Sequence, residues 1–139
     1  MAVLGVFCFP GTGHINPVTA LSRRLEKRGH RVIVFGIADT EARVCAAGVE
    51  FRQVGVEDYP LGTLTELDRK LSTLKGLNSF RFTVERVKNH ARMVLRDGPA
   101  AVKAAGVEAM LVDEADMAGS VAEALGLPFV SIACFPPLL

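Results

Sequence analysis

Two short stretches of the chain carry the groups that can do chemistry. In FPGTGHINP, residues 9–17, His14 follows Gly11, Thr12 and Gly13. In MLVDEAD, residues 110–116, Asp113, Glu114 and Asp116 crowd together. The glycines permit a tight turn and let a ligand approach the backbone closely. A helix start is expected at Asn16 and Pro17, one as cap and the other as first residue. His14 then lies just ahead of a helix N-terminus, whose positive end disfavours a charged ring. A neutral imidazole can take a proton from a hydroxyl. A loop histidine that only bonds the backbone is the other reading, and the spacing leaves both open. Asp113 closes a strand-like run, where a carboxylate can hold one ring nitrogen and steady the imidazolium as it forms. Asp116 fits the cap of a following helix. Asp113 stands too early in the loop for that, and is the better candidate for chemistry.

The glycine loop also invites a dinucleotide reading. That fingerprint needs a third glycine three residues after the second, and the position holds Asn16. Asp39 follows the second strand, as the ribose-binding acid would, but a lone acid there is weak support. A nicotinamide- or flavin-binding module is therefore the alternative, and no cofactor is expected. Cys8, Cys45 and Cys134 are widely spaced and odd in number. They match no zinc pattern and no disulfide framework, so no metal is expected and a reducing cytoplasm is the expected home.

The elements that must position these loops alternate in type. Strands are expected over 3–9, 31–36, 49–54, 108–113 and 129–133, the first being an unbroken apolar run. Helices are expected over 15–28, 41–47, 79–97, 99–105 and 117–125. A short helix over 64–74 is expected in the otherwise irregular 55–78. Phe80, Val84, Val87, Ala91 and Val94 form the apolar stripe of the long helix. Phe80 reads as core, whereas Phe82 is open between core and a ligand pocket. This alternation predicts an α/β, Rossmann-like, doubly wound parallel sheet. Such sheets bind ligands at the carboxyl ends of their strands, where both loops lie.

Composition bounds the rest. Half of the 139 residues are hydrophobic and 22% are charged, so the chain is expected to fold as one domain, 1–139. A net charge of +1 gives no electrostatic case for nucleic acid. No apolar run is long enough to span a membrane, and the N-terminus does not read as a signal peptide. Basic residues crowd the end of the first helix and recur along the long one. A solvated face is the plain reading, and a peripheral membrane contact the other.

The segment FPGTGHINPVTALSRRLEKRGHRVIVFG resembles the opening of family 1 glycosyltransferases of the GT-B fold, the bacterial macrolide type above all. LVDEADMAGSVAEALGLPFVSIACFPPL is similar to a later part of the same N-terminal domain, as in zeaxanthin-type glucosyltransferases. The resemblance implies that His14 is the general base of an inverting transfer and that Asp113 supports it, with Glu114 next in line. It implies that the loop of Gly11, Thr12 and Gly13 makes room for the substrates; Glu114, as the neighbour of Asp113, and Phe82, on its pocket reading, are the further candidates to border them. The partners it implies are a nucleotide-sugar donor, UDP by expectation, and a small apolar acceptor bearing a hydroxyl. Such enzymes carry a second domain for the donor, and no His- and Gly-rich donor motif is present in these residues. The chain then corresponds to the acceptor half, as a piece of a longer protein or as one chain completed by a donor-domain partner, and a non-catalytic subunit that docks a separate donor-domain chain is the further alternative.

Overall fold

The computed structural model describes residues 1–134. Five strands form one parallel sheet in the order β3-β2-β1-β4-β5. They are β1 (Val3–Phe7), β2 (Arg31–Gly36), β3 (Glu50–Gln53), β4 (Ala109–Asp113) and β5 (Phe129–Ile132). The helices are α1 (Thr12–Lys27), α2 (Ala38–Ala46), α3 (Thr63–Thr73), α4 (Gly76–Ala104) and α5 (Ala118–Leu125). The doubly wound α/β fold is therefore as the alternation predicts.

Side chains alternate across the pleat and feed two cores. Phe7, Ile33, Phe35, Met110 and Val112 face one side, where Val94 and Val102 of α4 and Val121 of α5 cover them. Val6, Val32 and Val34 face the other, against Ile15 and Val18 of α1 and Val44 of α2. Register pairs Phe7 with Phe35, and their rings stack with centroids 4.9 Å apart. Both faces are buried, which is why β1 reads as an unbroken apolar run and β2 as rich in Val and Ile.

Several boundaries differ from expectation. β1 stops at Phe7 rather than residue 9, because the Phe9 amide leaves the ladder and donates to the Asp113 carboxylate at 3.2 Å. α1 begins at Thr12, with Gly11 as its N-cap. The Gly11 carbonyl accepts from the amides of His14 and Ile15, so the helix closes one turn before Asn16. Pro17 lies inside the helix and not at its start. α4 runs unbroken through Pro99, replacing the two expected helices. The residue before a proline normally resists the helical region because its Cβ meets the proline ring. Here that residue is Gly98, which has no Cβ and packs closely on Val121 of α5.

The expected stripe on α4 is only half right. Val94 is buried, but Phe80 is 66% exposed and Val84 47%. The buried set is His90, Met93, Val94, Gly98 and Val102, all in the second half. The first half projects beyond the sheet beside α3, so Phe80 has no core to enter. Among the described residues, no helix is long and apolar enough to cross a membrane.

Candidate active site

The chain leaves β1 for β2 on one side, then returns to place β4 on the other side of β1. This reversal opens a crevice at the carboxyl ends of β1 and β4, the usual ligand position in such sheets. The loop after β1 leads into α1 and sets His14 in its first turn. The loop after β4 begins at Asp113. Residues 99 positions apart are thereby brought together: His14 Nδ1 lies 2.5 Å from Asp113 Oδ2.

The pair is well enclosed. Asp113 is fully buried and His14 is 9% exposed. Asp113 Oδ2 also accepts from the Phe9 amide, and Oδ1 accepts from the Ala115 amide at 3.2 Å. A buried carboxylate needs such donors. They also fix its plane, so the imidazole can turn only one nitrogen toward it. His14 thus presents Nδ1, and not Nε2, to the carboxylate.

Cys134 approaches the same pair. One donor atom from each of His14, Asp113 and Cys134 lies within 4.8 Å of the others. Two ligands on one zinc ion stand about 3.3 Å apart at tetrahedral angles. The 2.5 Å spacing of His14 and Asp113 is that of a direct hydrogen bond. Burial and the Asp113 and Glu114 charges push the Cys134 thiol up. Burial, then Asp113, Asp116 and Cys134, push the Cys8 thiol far up. Neither thiol is a thiolate at neutral pH, so neither is a ready nucleophile.

The other sequence-derived residues fall in different places. Gly11 caps α1, and a Cβ there would stand 3.3 Å from the His14 ring. A Cβ on Gly13 would meet nothing within 4 Å among the described residues. Thr12 Oγ1 accepts from the Arg43 guanidinium. Glu114 is exposed and its amide donates to the Ile132 carbonyl, so it is not the carboxylate paired with His14. Phe82 sits on α4, with the Lys70 ammonium 5.0 Å from its ring centre. It lines a cavity of about 520 Å³ with Tyr59, Leu67 and Met93, not the His14 loop itself.

A second cavity, of about 270 Å³, does reach that loop. Phe9, Pro10, Gly11, Leu64, Leu71 and Val87 line it. Arg86 borders both cavities. Its side chain is only 17% exposed and pairs with Asp68 at 2.9 Å, so the solvated reading fails for this member of the basic series. Asp58, Glu85, Arg92 and Arg96 also line the first cavity, so the second is the more apolar and forms the groove between α3, α4 and the β1–α1 loop.

Sequence reasoning missed His90. Its Nε2 lies 3.0 Å from Asp116 Oδ2, and His90 is 8% exposed. Asp116 Oδ1 accepts from the Ala118 amide at the start of α5, but the N-cap position is Met117, so Asp116 braces the helix start from one residue before it. The available signal was the register of His90 with Met93 and Val94, which places a histidine on the buried face of α4.

The sequence profile of the glycosyltransferase family 28 N-terminal domain matches residues 7–137. The chain belongs to this family. The zeaxanthin glucosyltransferase of Pantoea ananas is 32% identical over 130 residues, covering 93% of this chain and 30% of the relative. That of Pseudescherichia vulneris is 32% identical over 149 residues, covering 99% and 32%. The glycosyltransferase domain described here thus spans about a third of the length of these relatives. Solved structures share its fold. SsfS6 of Streptomyces sp. SF2575, complexed with thymidine diphosphate, superposes with a TM-score of 0.69 at 20% identity, over 96% of this chain and 38% of that one. The spinosyn rhamnosyltransferase SpnG with spinosyn aglycone gives 0.67 at 21%, over 96% and 34%. The sheet and its helices are accordingly those of the N-terminal part of a GT-B glycosyltransferase. The family match leaves the dinucleotide reading of the glycine loop without support. The segment 135–139 of the resembling stretch lies outside the described residues.

Proposed function

We propose that this domain binds the acceptor and supplies the base for an inverting transfer from a nucleotide sugar, UDP-linked by preference. The observation that carries the reading is the buried His14–Asp113 pair at the reversal of the sheet. His14 Nε2 takes the proton of the acceptor hydroxyl. The oxygen attacks the anomeric carbon from the face opposite the leaving diphosphate, which inverts the configuration. Asp113 holds the proton on Nδ1 and stabilises the imidazolium. The positive end of α1 favours the loss of that charge when the proton moves on.

The acceptor lies in the groove of Phe9, Leu64, Leu71 and Val87. This lining suits an apolar molecule with one hydroxyl presented to His14, in keeping with the carotenoid named for two relatives. Gly11, Thr12 and Gly13 keep the path between acceptor and donor open. The donor is held by residues beyond this domain, in the same polypeptide or in a partner chain. Transfer requires both substrates in near-attack geometry, so the domain by itself is inactive.

The test is His14→Ala, assayed with the donor-binding part present and UDP-glucose as donor. General-base assistance is worth about 10²- to 10⁴-fold. Turnover falls by that factor while acceptor affinity holds. Turnover within about threefold of the parent, well short of that range, refutes the reading.

A further inference from the structure

The loop after β4 carries two buried carboxylates three residues apart, and each meets a different histidine. Asp113 binds His14 and Asp116 binds His90. The two imidazoles are linked by one ring. Phe9 makes an edge contact with His14, centroids 5.5 Å apart at 62°, and another with His90 at 5.8 Å and 66°. Tyr59 closes the far side of His90 at 6.2 Å. The Phe9 amide, in turn, donates to Asp113. A closed circuit results: His14, Asp113, the loop to Asp116, His90, Phe9 and back to His14.

His90 is a costly residue for mere packing. Its position on α4 is a core position, and an apolar side chain would fill it without desolvating a ring nitrogen or a carboxylate. Its Nδ1 is buried with no hydrogen-bond partner among the described residues. The proton therefore sits on Nε2 and is donated to Asp116 Oδ2. Buried polar atoms left unpaired are rare and call for an explanation beyond stability.

We propose that His90 is a positioning residue for His14. Its bond to Asp116 anchors the β4–α5 loop to α4, which fixes the carboxylate of Asp113. Its ring holds Phe9 on the side away from His14, which fixes the plane of the base. His90 acts through Asp116 and Phe9 and not on the reacting atoms. The proposal rests on the reading of His14 as the base.

The decisive variant is His90→Phe, which keeps an aromatic ring between Phe9 and Tyr59 but cannot donate to Asp116. Two readouts separate positioning from bulk stability. The first is the split of kcat and KM in the transfer assay. The second is the ¹⁵N-edited resonance of the His14 Nδ1 proton in this chain, which a short bond to Asp113 places far downfield. His90→Phe is expected to lower kcat about 10- to 100-fold, as loss of an outer support does, with KM for both substrates held. The His14 resonance moves upfield or broadens. His90→Gln, whose amide can reach Asp116 as Nε2 does, restores most of both signals. An unmoved resonance with unchanged kcat overturns the proposal, and so does a rise in KM alone. If circular dichroism finds His90→Phe unfolded, Phe9→Leu decides, since it cuts the link while leaving both histidine–aspartate pairs. An unmoved His14 resonance in folded Phe9→Leu overturns the proposal. Retained turnover in His14→Ala would instead sink the functional reading, so the two failures are distinct.

Discussion

Replacing Asp113 by asparagine tests the dyad without changing its shape. The carboxylate accepts three hydrogen bonds: from His14 Nδ1 at 2.5 Å and Phe9 N at 3.2 Å on Oδ2, and from Ala115 N at 3.2 Å on Oδ1. A carboxamide can satisfy only one side. With its oxygen toward His14, its NH₂ faces the Ala115 amide, donor against donor. With its NH₂ toward His14, the ring must move its proton to Nε2, and the base is lost. The NH₂ then also confronts the Phe9 amide. Either orientation leaves a buried donor unpaired, at a cost of about 1–3 kcal/mol. The second also imposes the wrong tautomer, an effect worth up to about 10⁴-fold in a serine-protease triad. Asp113→Asn should therefore lower kcat about 10²- to 10⁴-fold. For a domain of this size its melting temperature falls by only several degrees. The assay is steady-state transfer with donor and acceptor saturating, beside a thermal melt of the same protein. A kcat within about tenfold of the parent, below the range for base assistance, refutes the claim that Asp113 sets the tautomer of His14. Loss of stability with unchanged kcat per folded molecule has the same force.

Other expectations concern binding, packing and charge. If the donor is held outside this domain, as proposed, calorimetric titration of this chain with uridine diphosphate should show a Kd well above the low micromolar range, about −8 kcal/mol. Phe35→Ala removes a ring that is 1% exposed and stacked on Phe7, and should cost about 3–5 kcal/mol in urea unfolding. The Arg31 guanidinium bonded to Glu50 holds that carboxyl below its usual range. A depressed carboxylate adds stability above its unfolded value, about 4.3, and loses it as pH falls through the folded value. The melting difference between the parent and Arg31→Gln should thus shrink toward zero below about pH 4.

Legibility followed burial and locality. β1 and β2 are buried on both faces, so Val3–Phe7 stood out as an apolar run and Arg31–Gly36 as rich in Val and Ile. The site loops were legible because topology alone brings the ends of neighbouring parallel strands together. His14 and Asp113 needed no knowledge of side-chain packing to be paired. Local signals misled where tertiary contacts outweighed them. Asn16–Pro17 looks like a helix start, yet the Gly11 carbonyl had already closed the first turn. Pro99 looks like a break, yet Gly98 before it and the packing on α5 carry the helix through.

The long helix marks the limit of periodicity as a guide. A repeating apolar stripe says that one face is favoured, but not how far the sheet beneath it extends. From Phe80 to Val87 the stripe runs past the sheet, and α3 with the β1–α1 loop leaves an open groove there. From His90 to Val102 the same stripe enters the core. His90 stands at the boundary between these halves, where the groove ends and the packed interior begins. A histidine at that point can be buried like a core residue and still lie one ring away from the candidate base. Its partner Asp116 comes from the other end of the chain's fold, so no local pattern could pair them. Under the proposed function, the groove and the carboxylate of Asp113 meet at Phe9, so acceptor contact and base orientation would share one side chain. A bulky acceptor that presses on Phe9 would then press on His14 as well, and its fit in the groove would govern how well the hydroxyl and the base align.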